Sequence, residues 1–261
     1  MIHPDSEKDY WYSLQAVVAQ FDGLAQGVQD FAAPGESLTV LDMLILQAAG
    51  DMYDIQPAVD LASRPAWEKI TDEREFHDKY EDQTSCSALV TIINGTVTTG
   101  EVYAGHTTWT SYANMLRIYK HYDLNLADTP NSRVSFSSKP GSLYSKDDFY
   151  TLPDTKMVVI ETTNGIMNSS LYDLIVPESL LTWQRVIVAN RLATGGEEWT
   201  LTHSYFNSGT YNNQYFVVDM KQFVPGQGAL AGFIWISEQI PGLIMREDVS
   251  DVVFLLLLYL P

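Results

Sequence analysis

The chain has 261 residues, 46% of them hydrophobic, enough to bury a substantial core as one large domain or two small ones. A formal charge of −18 leaves no basic cluster to neutralise a run of phosphates, which excludes nucleic acid as a partner. No stretch approaches the ~20 apolar residues of a membrane span, and Met1–Asp5 has neither the basic start nor the apolar run of a signal peptide.

Residues 10–31 place Tyr10, Leu14, Val17, Val18, Phe21, Leu24, Ala25, Val28 and Phe31 at helical spacing, and Pro34-Gly35 ends that pattern. Ser37 is the expected N-cap of a second helix through Leu38, Leu41, Leu44, Ile45 and Ala48. Residues 56–83 turn polar and aperiodic and read as a linker. The organisation expected is a helical segment over 1–55, a linker or pro-region over 56–85, and a core over 86–261.

From Cys86 the texture is β. Ser87–Ile93 is rich in β-branched residues, and Asn94-Gly95 marks a two-residue hairpin with Thr96–Tyr103 returning. In that register Cys86 faces Tyr103, and Gly105–Trp109 emerges at the cysteine's end of the sheet. The spacing of Tyr112, Met115, Leu116 and Tyr119 predicts a helix. Strands are expected over 134–138 and 156–163, the latter closed by a turn at Asn164-Gly165, then a helix over 177–192 ending before Gly195-Gly196. Further strands are expected over 201–206, 211–218, 230–236 and 252–260. The class is α+β.

Cys86 is the sole cysteine, so it is either an inert buried hydrophobe or a reactive thiol. Three features favour reactivity. The hairpin returns His106 and Trp109 towards it. Scission of the Ser85–Cys86 bond would give it a free α-amine, pKa about 7.7–8.0, able to take the proton of its own thiol. Finally, the amide-rich run Asn207–Gln214 offers oxyanion donors, although Asn, Ser and Gly are also what ordinary turns use. The five histidines (His3, His77, His106, His121, His203) show no metal-binding spacing, and no cofactor motif is present, so neither metal nor cofactor is expected.

Several stretches together resemble the phospholipase B-like (lamina ancestor) family of N-terminal nucleophile hydrolases. They are Gly50-Asp51-Met52-Tyr53-Asp54, Ser85-Cys86-Ser87-Ala88-Leu89 and Gly105-His106-Thr107-Thr108-Trp109 with Met115-Leu116-Arg117-Ile118-Tyr119-Lys120. Ser137-Ser138-Lys139-Pro140-Gly141, Glu161-Thr162-Thr163-Asn164, Trp183-Gln184-Arg185 with Ala189-Asn190-Arg191 and the Asn207–Gln214 run complete the set. The resemblance implies an αββα sandwich of two antiparallel sheets, incomplete in this chain, and a proenzyme cleaved before Cys86. The activity implied is removal of acyl chains from lipids, or by the same mechanism from N-acylated amines; a non-catalytic lipid-binding relic is the remaining reading.

In the resemblance Cys86 is the nucleophile and Asn207 the oxyanion donor. His106 and Trp109 stand where wider-superfamily members place an Arg and an Asp, and Thr108, Thr163, Asn164 and Arg185 are pocket candidates. Family members are lysosomal or secreted glycoproteins, and Asn94-Gly95-Thr96 and Asn168-Ser169-Ser170 are formal acceptors. They are also roughly twice this length, so further chain segments or a second copy are expected to complete the sheets.

Overall fold

The computed structural model describes residues 4–83, 86–94 and 100–252. Helix α1 (Pro4–Phe31) buries Tyr10, Leu14, Val17, Phe21 and Ala25 and half-buries Leu24 and Val28 of the expected stripe, while Val18, off the line of the buried positions, and Phe31, at the helix end, stay exposed. Helix α2 (Val40–Gln47) begins two residues later than the Ser37 expectation. Thr39 is its cap because Asp42 closes a reciprocal box with it: the Asp42 N–H donates to Thr39 Oγ1 at 3.1 Å and the Thr39 N–H to Asp42 Oδ2 at 2.9 Å. Residues 56–83 are more ordered than their polarity suggests. They hold the end of α3 (Met52–Val59), two short 3₁₀ turns and α4 (Glu73–Gln83).

Strands β1 (Cys86–Asn94) and β2 (Gly100–Thr108) form an antiparallel hairpin, but not in the expected register. Cys86 pairs with Thr108 rather than Tyr103, and Asn94 lies in the strand opposite Gly100. The observed register sets Val90 and Ile92 against Ala104 and Val102, all on the covered face, and leaves Glu101 and Tyr103 exposed. A two-residue turn would have brought the other face of β2 inward, with Glu101 opposite Ala88 and Thr99 opposite Val90. Burying Val102 while the Glu101 charge stays in water outweighs the local turn preference. Gly95 itself lies outside the described residues.

The expected helix over 112–119 is instead a 3₁₀ turn (Tyr112–Asn114) followed by strand β3 (Ile118–Asp123). Pairing with β4 (Arg133–Ser138) and the edge-on packing of Tyr122 on Phe136 at 5.1 Å win over the helical spacing, and Met115 and Leu116 stay exposed. Strands β5 (Phe149–Leu152) and β6 (Met157–Thr163) follow. Asn164-Gly165 makes no hairpin; β6 pairs with β5 and with the later β7.

Helix α5 spans Thr182–Leu192, starting five residues beyond Pro177. The expected strand over 201–206 is helix α6 (Gly196–Ser204). Trp199 and His203, one turn apart, stack at 5.0 Å inside the core, Glu197 and Glu198 suit its N-terminal dipole, and Glu198 accepts from the Thr194 N–H at 2.8 Å. Strands β7 (Asn213–Asp219), β8 (Phe223–Val224), β9 (Gly228–Ala229), β10 (Ile234–Ile240) and β11 (Leu243–Asp248) complete the set. The strand expected over 230–236 is shifted to β10, and β11 was not anticipated. The one expected over 252–260 falls outside the described residues apart from Val252, which is helical.

The order β11-β10-β7-β6-β5-β4-β3 makes a seven-stranded sheet, antiparallel at every pairing. Alternate residues face opposite sides. Val159, Tyr215 and Val217 pack on Val186 and Ala189 of α5 and Trp199 of α6, while Val158, Phe216 and Val218 meet Val90, Ile92 and Val102 of the β1–β2 hairpin. Helix α1 covers α5 through Trp183, Ile187 and Val188. The fold is α+β: the seven-stranded antiparallel sheet carries helices on one face and the β1–β2 hairpin on the other, an arrangement consistent with an αββα sandwich. Among the described residues the sheet facing it consists of β1 and β2, β8 and β9 form a separate two-stranded ribbon, and no helix is long and apolar enough to cross a membrane.

Arg185 belongs to this framework. Fully buried, its guanidinium donates to Leu180 O at 2.9 Å, His203 O at 2.6 Å, Thr182 Oγ1 at 2.7 Å and Gln239 Oε1 at 2.6 Å. Arg185→Leu would leave these acceptors buried without a donor. We expect chemical denaturation to show a loss of about 3–5 kcal/mol, with no compensating gain in packing.

Candidate active site

Cys86 opens β1 at one end of a cleft holding about 740 Å³ of atom-free space, part of it open to solvent. The hairpin register supplies one wall: Thr108 stands opposite Cys86, and the following residue, Trp109, directs its main-chain N–H at the sulfur. Thr163 and Asn164, at the end of β6, supply the facing wall, and the Thr163 hydroxyl hydrogen-bonds the thiol. Tyr53, Asp54, Tyr211 and Asn212 close the third side.

The Gly50–Asp54 stretch explains how that third side is held. A Cβ on Gly50 would lie 2.7 Å from the Tyr211 ring, so glycine is what lets the ring pack there. Asp51, buried, accepts from the Thr182 N–H at 2.9 Å and from the Thr210 hydroxyl, tying the loop before β7 to the start of α5. Asn212 then donates to Asp54 Oδ2 at 3.0 Å, and the Asn164 N–H donates to Asn212 O at 2.8 Å, joining two walls.

Beneath Cys86 lies a buried titratable cluster. The sulfur, an imidazole nitrogen of His106 and a Glu161 carboxylate oxygen are all within 4.8 Å of one another. Glu161 hydrogen-bonds Asp148, which accepts from the Tyr211 hydroxyl. Burial raises both carboxyls, and the charge of Asp148 holds Glu161 well above the carboxylate range, so Glu161 keeps the proton of the pair. Burial, then the charge of Asp148, pushes the Cys86 thiol up to about 11, so in the intact chain it is a thiol and not a thiolate. Burial holds His106 below its ordinary value and therefore neutral; its ring bonds the Glu161 main chain, while Nε2 is buried without a partner. Glu161 Oε1 is likewise unpartnered. Sulfur, imidazole and carboxylate are also ligand types for a divalent cation, a juxtaposition that the linear spacing of the histidines does not display.

The cleft thus gathers Cys86, Thr108, Trp109, Thr163 and Asn164, with His106 adjoining through the sulfur. It does not include Asn207 or Arg185. The Asn207 carboxamide is engaged in its own turn, accepting from the Gly209 N–H at 2.8 Å and donating to Ile240 O at 3.2 Å. Ser85 lies outside the described residues. Sequence reasoning missed Tyr53, Asp54, Lys146, Asp148 and Tyr211 as site residues; Tyr53 and Asp54 stand in a stretch already singled out, whereas nothing local marks Lys146 or Asp148.

The family comparison bears on the same residues. The chain matches the Phospholipase B family over residues 1–255. It belongs to that family. It is 41% identical to Phospholipase B-like protein A of Dictyostelium discoideum over 93% of this chain and 44% of that protein. It is 38% identical to Phospholipase B-like 1 of Rattus norvegicus, over 96% of this chain and 44% of that one. Phospholipase-B 81 of Drysdalia coronoides is 37% identical, with 96% and 45% covered. The chain thus spans under half the length of these Phospholipase B relatives, and the stretches on which the resemblance was drawn all lie within the matched residues.

Asp54 gives the cleft a pH signature. Burial raises its carboxyl from 3.8 to about 7, so folding favours the protonated form. The stability this contributes is full below about pH 4 and lost as pH rises through about 7. Asp54→Asn mimics the protonated acid. Denaturation measured across that range should show the variant gaining on the parent as pH rises; a constant difference would mean that Asp54 ionises as an exposed carboxylate does.

Proposed function

We propose that this chain carries the nucleophile-bearing part of an acyl hydrolase acting on lipids, matured by scission between Ser85 and Cys86. The observation that supports it best is the placement of the Cys86 sulfur, at the mouth of an open cleft and within 4.8 Å of an imidazole and a carboxyl group. Membership of the Phospholipase B family supports the substrate class.

The two stages need different bases. Before scission the Cys86 nitrogen is a peptide N–H and cannot take a proton. The neutral His106 ring, with a lone pair at Nε2 that nothing in the protein occupies, takes the thiol proton as sulfur attacks the Ser85 carbonyl. The peptide bond becomes a thioester and the freed nitrogen takes up a proton; water then hydrolyses the ester.

In the mature site the α-amine, pKa about 7.7–8.0, takes the thiol proton while sulfur attacks the acyl carbonyl. Collapse of the tetrahedral adduct expels the lipid alcohol, protonated by the ammonium, and leaves a thioester. Water attacks that thioester, giving its proton to the amine; the fatty acid leaves and the thiol is restored. The oxyanion is held by the Trp109 N–H and by Asn164 Nδ2, whose contact with Gln239 O is long at 3.5 Å and leaves it able to turn. Asn164 takes the role first assigned to Asn207, whose amide is committed elsewhere.

Two outcomes follow. Mass spectrometry and N-terminal sequencing should find a fragment beginning at Cys86, absent in Cys86→Ala and slow to form in His106→Gln. Asn164→Ala should lower kcat by about 10²–10³-fold, as loss of one oxyanion donor does, whereas Asn207→Ala should act mainly on stability. A Cys86→Ala protein that still hydrolyses acyl esters at the parent rate would overturn the assignment.

A further inference from the structure

A second hollow, of about 600 Å³, adjoins the Cys86 cleft and shares Tyr53, Thr108, Thr110 and Lys146 with it. In a chain with 33 acidic and 15 basic side chains, three cations converge here: Arg117, Lys139 and Lys146. They come from separate elements, Arg117 just before β3, Lys139 just after β4 and Lys146 in the loop before β5. Two carboxylates answer them: Asp147, and the buried Asp148, whose charge acts on Lys146. Asp147 pairs with Arg117 at 2.7 Å. Lys146 reaches only a neutral partner, the Tyr53 hydroxyl at 3.1 Å, and the Lys139 ammonium has no hydrogen-bond or ion-pair partner among the described residues. Both lysines are half-buried, and Lys146 and Arg117 each repel Lys139. Asn114 and Ser138 add neutral polar groups to the same lining.

Three cations against two carboxylates leave this polar hollow net positive, with neither ammonium in an ion pair, which makes it a site for one anion. A long polyanion is repelled by the surrounding −18 charge, so the anion is small. Because the hollow runs into the nucleophile's cleft through four shared residues, an anion bound here and an acyl carbonyl at Cys86 fit one molecule. We propose that Lys139, Lys146 and Arg117 bind the phosphodiester of a lipid headgroup while the acyl ester lies against Cys86, making this hollow the subsite that selects phospholipids over uncharged acyl esters and N-acylated amines. The anion site stands on its own geometry; its use in catalysis rests on the acyl hydrolase reading above.

The test separates the two. Glycerophosphocholine and inorganic phosphate are titrated calorimetrically into the purified protein, its Lys139→Gln and Lys139→Arg variants, and Lys8→Gln, which removes an exposed cation from α1. Glycerophosphocholine should bind the parent and Lys139→Arg, bind Lys139→Gln at least about tenfold more weakly, and be indifferent to Lys8→Gln. In turnover, Lys139→Gln should raise KM for lysophosphatidylcholine by about the same factor and leave hydrolysis of a monoacylglycerol unchanged. Binding of inorganic phosphate alone, equal weakening by Lys8→Gln, or no effect of Lys139→Gln would each overturn the subsite. Lys139-dependent binding of glycerophosphocholine by a protein that cleaves no acyl ester would uphold the subsite and remove the hydrolase reading instead.

Discussion

The pairing of Cys86 with Thr108 is the constraint on which the rest of the site is built. An antiparallel pair sets opposite residues on the same face, so this register puts Cys86, Thr108 and His106 together and turns the Trp109 N–H onto the sulfur. A slip of one residue would send the thiol to the outer face, where Leu89 and Tyr103 now stand exposed. The register is held at the far end of the hairpin, where Val90, Ile92 and Val102 are buried against Val158, Phe216 and Val218. Packing remote from the cleft therefore positions the chemistry within it.

Charge in the cleft is managed by burial more than by pairing. Burial, then the charge of Asp148, keeps Cys86 protonated in the intact chain, while Glu161 keeps the proton of the Asp148–Glu161 pair. A thiol held in its neutral form is a poor nucleophile until a base takes its proton, and the neutral His106 ring is the nearest such group. The contrast with Arg185 is instructive. There a buried charge meets a full set of acceptors, and the outcome is rigidity rather than reactivity.

Local structure departs from local preference wherever a partner strand or a core contact outbids it. Residues 112–119 carry a helical stripe yet end as a turn and a strand, because β4 offers a ladder and Phe136 offers Tyr122 a packing surface. Residues 201–204 are helical because Trp199 and His203 stack inside the core. The Asn207 turn follows the same rule. Its amides look like free donors on paper, and in the folded chain the Gly209 N–H and Ile240 O engage the one that mattered.

Composition, periodicity and the motifs determined the class, the buried stripe of α1, the strands around 134–138, 157–163 and 213–218, and the candidacy of Cys86 with Trp109, Thr163 and Asn164 near it. These are properties of residues close in sequence or of a lone thiol, and they survive without knowledge of distant partners. The register, the placement of Asn164 in the cleft and of Asn207 outside its lining, the Asp148–Glu161 pair and the meeting of Arg117 with Lys139 and Lys146 were decided only in three dimensions. Each depends on which buried groups exhaust one another's hydrogen bonds and charges, and that accounting closes only when strands far apart in the chain are brought side by side.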